Sequence, residues 1–188
     1  MTLPPAPGSE DHVSIALVNT VVTLPADQHE DVLHSPEEST RWLIDHDLVP
    51  DDTQLLPYCQ NQLTGLRLQL RALFAAQVHD TAPAEATLGS INRSLQNISS
   101  APQLQFDADA GFYRQRVHPV TQLVEHAMAL ISNDAADLVT DEERELLAQC
   151  EAAPCDRFYV RTHARRRWCS TRCGDRVRAA RAYARKQR

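Results

Sequence analysis

No run among the 188 residues approaches the ~18–20 consecutive apolar positions that a bilayer crossing requires. The first apolar stretch, Val13 to Val22, has no basic leader before it and no credible cleavage signal after it, so the expectation is a cytoplasmic protein with no membrane partner. Motifs of catalysis are missing too. The eight histidines form no HExxH pair, and there is no phosphate loop, dinucleotide fingerprint or nucleophile elbow. Glu125-His126 and Asp45-His46 are sequence neighbours, which a helix points apart. No catalytic residue is assigned, and the chain is not read as an enzyme. Cysteine is scarce and odd in number, five, which speaks against a disulfide scaffold. No internal repeat or low-complexity tract is present.

What remains has the balance of a folded protein, with 43% of residues apolar and 23% charged. At this length a chain buries roughly 70% of its surface, so it needs no staples to hold a core. The formal net charge of -6 conceals a division: residues 150–188 hold twelve basic and three acidic residues, a net of +9, whereas residues 1–149 sum to -15. An acidic body carries a strongly basic tail, and the overall charge says nothing about affinity for nucleic acid.

Met1 to Ser9 is rich in proline and small residues and reads as a mobile lead-in. Val13 to Val22 suits a buried helix or a strand equally. Ser35, Pro36 and Glu38 form a cap, a first-turn proline and a capping-box acid ahead of Trp42 and Leu43, which predicts a helix start. Leu63, Leu66, Leu70, Leu73, Phe74 and Val78 define a broad helical face, beside which Arg67 and Arg71 stand four apart, placed to solvate the face or to hold an acidic partner. Leu88, Ile91, Leu95 and Ile98 predict a second helix packed on the first. A β-hairpin follows, from Leu104 to Ala108 and from Phe112 to Val117, turning at Asp109, Ala110 and Gly111. Val120, Leu123, Val124, Ala127, Met128 and Ile131 restore a helical stripe. Thr140 with Asp141, Glu142 and Glu143 predicts another capped helix from about 141 towards Cys150, with the boundary at 133–140. The expected architecture is α+β: a predominantly helical N-terminal domain over 10–139 with a small β-hairpin, then a small C-terminal four-cysteine module over 140–188 with a basic helix.

Cys59 stands alone, while Cys150, Cys155, Cys169 and Cys173 form two close pairs joined by a loop. That spacing brings four thiolates round one tetrahedral zinc ion, and it lacks the tighter repeat of an iron–sulfur site. With four protein sulfurs and no open position, the ion is structural. Its formal charge with four thiolates is -2, which makes Arg167, Arg172 and Arg176 useful neighbours. Phe158 and Val160 alternate as in a short strand, and Trp168 serves either as apolar cover for the metal or as a stacking platform. From Asp175 to Lys186 a helix is predicted, with Val177, Ala180 and Ala184 on its packed face and Arg178, Arg181, Arg185 and Arg188 on another. Arg161, His163, Arg165 and Arg166 add a basic patch between the cysteine pairs.

Arg166-Arg167-Trp168-Cys169-Ser170 and Cys173-Gly174-Asp175-Arg176 closely resemble the CGNR zinc-finger family, named for its Cys-Gly-Asn-Arg motif. The resemblance implies that Cys150, Cys155, Cys169 and Cys173 are the zinc ligands. Ala16-Leu17-Val18-Asn19-Thr20, with the helix around Leu66-Arg67, is similar to the stress-induced transcription regulator domain that precedes this finger. Together these resemblances imply a DNA-binding regulator of stress response. Two departures stand out: Asp175 occupies the family's asparagine position, and Ala16 sits where an acidic residue is common.

The leading expectation is a zinc-containing transcription regulator that contacts duplex DNA through Arg161, Arg165, Arg166, Arg178, Arg181, Arg185 and Arg188. Homodimerisation would supply two half-sites. Asn19, Trp42, Arg67 and Arg71 are candidates for a pocket holding a small-molecule effector, although Asn19 also suits the pairing of buried backbone groups. An RNA-binding module, with Tyr183 or Trp168 stacking on bases, and a protein-interaction module are the alternatives.

Overall fold

The computed structural model describes residues 4–96, 103–108, 111–115 and 122–187. The apolar stretch that suited either helix or strand is both, in succession. Val13–Val18 forms α1 and Val21–Leu24 forms β1, and the change of direction between them is fixed where the Thr20 hydroxyl donates to the Leu17 carbonyl at 2.7 Å. β1 pairs antiparallel with β2, Gln28–Asp31, in the register Val21 to Asp31 and Leu24 to Gln28. This hairpin is not foreseen in the sequence, because Gln-His-Glu-Asp has no apolar alternation to announce a strand.

The next helices match their signals. α2 spans Pro36–Asp45, with the Ser35 side chain accepting from the Glu38 amide at 3.2 Å. α3, Pro57–Val78, buries Leu63, Leu66, Leu70, Leu73 and Phe74. α4, Glu85–Gln96, packs on α3, and α5, Leu123–Thr140, packs on α1, α3 and α4. Between α4 and α5 lies the expected hairpin, β3 (Gln103–Asp107) with β4 (Gly111–Gln115), paired Phe106 to Phe112. Its turn at Asp109 and Ala110, together with Ile98, Arg116, Val117, Pro119 and Val120, lies outside the described residues. The hairpin leaves Leu104, Phe106, Phe112 and Tyr113 exposed, with the two phenyl rings 5.0 Å apart.

Two expectations need correction. Residues 133–140 are the last turns of α5, and the Thr140 hydroxyl donates back to the Ala136 carbonyl instead of capping a new helix. The helix expected from 141 is a 3-10 turn over Glu142–Leu146 followed by β5, Leu147–Gln149, which pairs antiparallel with β6, Phe158–Val160. Acidic residues at 141–143 start a helical turn as a capping box would, but Leu147 and Ala148 are drawn into two different cores and extend the chain. The N-terminal lead-in is packed from Ala6 onward: Ala6 is buried, and the Pro7 carbonyl accepts from the Val160 amide at 2.9 Å. Gly8, at φ 86°, lies so close to Val160 that a Cβ would sit 2.7 Å from that side chain. The chain ends in α6, Thr171–Lys186.

The result is an α+β fold with two apolar clusters. The larger gathers α1, α2, α3, α4 and α5 and takes in Leu147, Phe158 and Val160 from the C-terminal segment. The smaller surrounds the four clustered cysteines with Ala6, Val22, Ala148, Ala152 and Tyr159. β6 has one side in each, so its three residues are all buried.

Candidate metal centre and nucleic-acid interface

Cys150 follows β5 directly, and its amide donates to the Arg157 carbonyl at 2.9 Å, which closes the loop carrying Cys155. Cys169 and Cys173 flank the start of α6. The Ser170 side chain caps that helix by accepting from the Cys173 amide at 3.2 Å, so the helix N-terminus lies beside the sulfurs and favours their negative charge.

A zinc–sulfur bond of about 2.3 Å sets the edge of a regular tetrahedron of ligands at about 3.8 Å. Cys155 Sγ lies 3.8 Å from Cys169 Sγ, Cys169 Sγ lies 3.7 Å from Cys173 Sγ, and all four sulfurs fall within 4.8 Å of one another. All four residues are buried and none is in a disulfide. Crowded thiols cannot all ionise without a cation. Hydrogen bonds from Cys155 and Cys169 bring Cys150 down to about 7, and Cys173 is also lowered, while Cys155 and Cys169 are raised. A divalent ion resolves that competition by taking all four as thiolates. Donor set, spacing and burial therefore fit one structural zinc ion.

The arginines around this centre divide into working groups that their sequence positions do not reveal. Arg176 donates to the Ala152 carbonyl at 2.6 Å and lies 3.7 Å from Cys173 Sγ, where it offsets the charge of the sulfurs. Arg167 pairs with Glu151. Arg166 spends its donors on the carbonyls of Trp168 and Cys169, both at 3.1 Å, and on Thr162, and covers the Tyr159 ring. These contacts shape the loop, and Arg166 also lines the basic groove described below. Arg161 is half-buried beside Tyr159, whose hydroxyl burial pushes up to about 12 against the pull of Arg161. Arg165 is exposed.

On α6 only Cys173 and Gly174 are buried. Trp168 lies against Gly174, where a Cβ would meet the indole at 3.0 Å, and its face carries the Arg178 guanidinium at 5.8 Å. Trp168 is thus cover for the metal module. Asp175 pairs with Arg178 at 2.6 Å, so the acid in the asparagine position restrains one arginine of the helix. Ala180 and Ala184, expected on a packed face, are exposed, as are Arg178, Arg181, Tyr183 and Arg185. Arg188 lies outside the described residues. A surface groove of about 270 Å³ joins the loop to the helix, lined by His163, Arg165, Arg166, Arg167 and Arg178 among others.

Residues 147–186 match the CGNR zinc finger, and residues 11–142 match the family described as "Putative stress-induced transcription regulator" (ABATE). The chain belongs to the ABATE family. No curated protein matches the chain. Its ABATE region and its finger are consecutive in sequence but interlocked in space. Asn19 of the Leu-Val-Asn-Thr string brackets the backbone of Phe158, donating to its carbonyl at 2.7 Å and accepting from its amide at 3.0 Å. Arg71 donates to the Val18 carbonyl at 2.7 Å, to the Asp156 carbonyl at 3.1 Å and to the Asp156 carboxylate at 2.7 Å. Arg67 grips both oxygens of Asp31 at 2.6 and 2.7 Å and reaches Thr20 at 3.0 Å.

These contacts decide the effector candidates. Arg67 and Arg71 are structural arginines of the ABATE domain, consumed by carboxylates of β2 and of the finger. Asn19 serves the backbone, the alternative that sequence left open, and its side also borders a cleft with Trp42. Sequence reasoning missed Arg157, which lines the same cleft from the finger side. Nothing in its local pattern separates it from the other basic residues of the tail.

Proposed function

We propose that this ABATE protein is a zinc-dependent transcription regulator that grips duplex DNA with the arginine face of α6 and the basic groove beside it. One observation carries the reading. From Arg178 onward α6 is exposed except at half-buried Ala182, with Arg178, Arg181 and Arg185 at three- and four-residue steps, next to the groove that Arg165 and His163 line. Such a row releases counterions when it meets phosphate. Arg161 and Arg166 support the surface from beneath, and Arg188 extends the same row in sequence.

In this reading the zinc ion is scaffold and the protein is not an enzyme, since four sulfur ligands leave no coordination position for a substrate. A reducing cytoplasm suits its unpaired thiols. Regulation under stress is what the family description adds. Two copies meeting through the exposed β3–β4 hairpin would present two basic helices to adjacent half-sites.

Anisotropy titration of the zinc-loaded protein against mixed duplex DNA, across a salt series and with RNA of equal length as competitor, tests the proposal. A duplex preference that weakens steeply with salt is the expected result. Absence of duplex binding overturns it. A preference for RNA would instead assign the exposed Tyr183, 67% accessible, as a stacking platform.

A further inference from the structure

A cleft of about 750 Å³ opens where the N-terminal segment, α1 and α2 face the start of β6. Its walls include Val13, Ala16 and Val32, and Trp42 stacked on His46 with ring centroids 4.2 Å apart. Asn19 and Thr20 also line it, and with them Arg157, which is 5% exposed. Among the described residues, Nη1 of Arg157 has no hydrogen-bond partner and no carboxylate pairs with the guanidinium.

The two arginines of α3 are treated differently. Arg67, at 6% exposure, is given a carboxylate in bidentate contact, and Arg71 is given a carboxylate and two carbonyls. A buried guanidinium without such partners is costly, and an anionic group entering the cleft would remove the cost. Carboxylate is the natural complement, through two parallel N–H···O bonds. The rim imposes a second condition. Glu10, Asp11, Asp45 and Asp47 are exposed around the mouth, so the entrance is electronegative and disfavours a ligand that is only negative. Asp134 also lines the cleft but is already engaged by His12 at 3.0 Å and by the Ser14 amide at 2.8 Å.

We infer that the cleft binds a small zwitterion of the amino-acid type, with its carboxylate on Arg157, its ammonium group at the acidic rim and its apolar part against Val13, Ala16 and Trp42. Arg157 lies two residues after the zinc ligand Cys155, and its carbonyl holds the Cys150 amide. The ligand therefore touches the ABATE domain and the finger at once. This site is independent of the duplex-binding reading, and its test needs no nucleic acid.

The experiment is calorimetric titration and thermal unfolding of the zinc-loaded full chain with L-phenylalanine and L-leucine, each beside its C-terminal amide and its deaminated acid. Binding of at least one free amino acid is expected, with affinity lower by about tenfold or more for both analogues and in Arg157→Gln, as loss of a charge-assisted pair implies. The double variant Asp45→Asn/Asp47→Asn, at exposed positions, should weaken the amino acid and spare the deaminated acid, and it keeps the test valid if Arg157→Gln fails to fold. No heat and no shift with any of the six compounds overturns the inference. So does binding of the amide as tight as that of the free acid, or affinity retained in the folded variants.

Discussion

Arg67 and Arg71 on α3 and Arg178, Arg181 and Arg185 on α6 are one residue type at the same helical steps, and they do opposite work. The α3 pair is drawn inward and its terminal nitrogens are engaged: their hydrogen bonds run to Asp31, Thr20, Val18 and Asp156. The α6 row faces outward, and among the described residues only Arg178 is tied to a carboxylate, that of Asp175. The difference arises from where acids from distant parts of the chain arrive. Asp31 lies 36 residues before Arg67 and Asp156 lies 85 after Arg71, so charge along a helix reveals its role only after the tertiary partners are known. Positive charge in a sequence is a count of donors, and the fold decides whether the protein or a partner accepts from them.

The largest effect should come from the metal. A chelator, or Cys169→Ser, should lower the thermal midpoint of the entire chain in one cooperative transition, because β6 belongs to the body's core as well as to the metal site and structural zinc commonly supplies on the order of 10 kcal/mol to small modules. Circular dichroism melts check this, and a body transition left unmoved would break the proposed interlock. Next, Arg71→Ala should destabilise by about 2–4 kcal/mol by leaving the Asp156 carboxylate and two carbonyls short of donors. Asn19→Ala should cost about 2 kcal/mol by freeing the Phe158 backbone. Denaturant unfolding measures both.

The outward row should behave in the contrary manner. Replacing Arg178, Arg181 and Arg185 with glutamine should leave stability within about 0.5 kcal/mol while lowering the salt slope of duplex binding by about 2–3. A large loss of stability would collapse the contrast between the two helices. The smallest effect is with pH. Burial opposes charge on His12, but hydrogen bonds and charges from Asp134 and Glu143 outweigh it and leave the imidazole above its ordinary 6.5. The stability it contributes is complete below that ordinary value and is lost as pH rises through the elevated one. His12→Gln should flatten this slope in unfolding measured between about pH 6 and 8.

Much of the helical body was legible because its signals are local. Ser35, Pro36 and Glu38 announce α2, and the leucines of α3 recur over several turns. The metal site was legible for a different reason: sulfur chemistry restricts what four close cysteines do. The β1–β2 hairpin and β5 were not, since strands of three or four residues carry no period and β2 is wholly polar. The basic tail was legible as a sum of charge but not residue by residue, because the contacts that engage Arg166 and the burial of Arg157 are encoded by no spacing.

The two-sided burial of Phe158, Tyr159 and Val160 has a consequence for biogenesis. Asn19 is made long before the backbone it must bracket, 139 residues further along, and Phe74 lacks its ring contact with Phe158 until the same strand is made. The nascent body therefore waits until β6 has been made, and contacts of such separation make its closure slow. Metal capture and the last step of core formation become a single event, so a cell short of zinc would accumulate unfinished bodies as well as empty fingers.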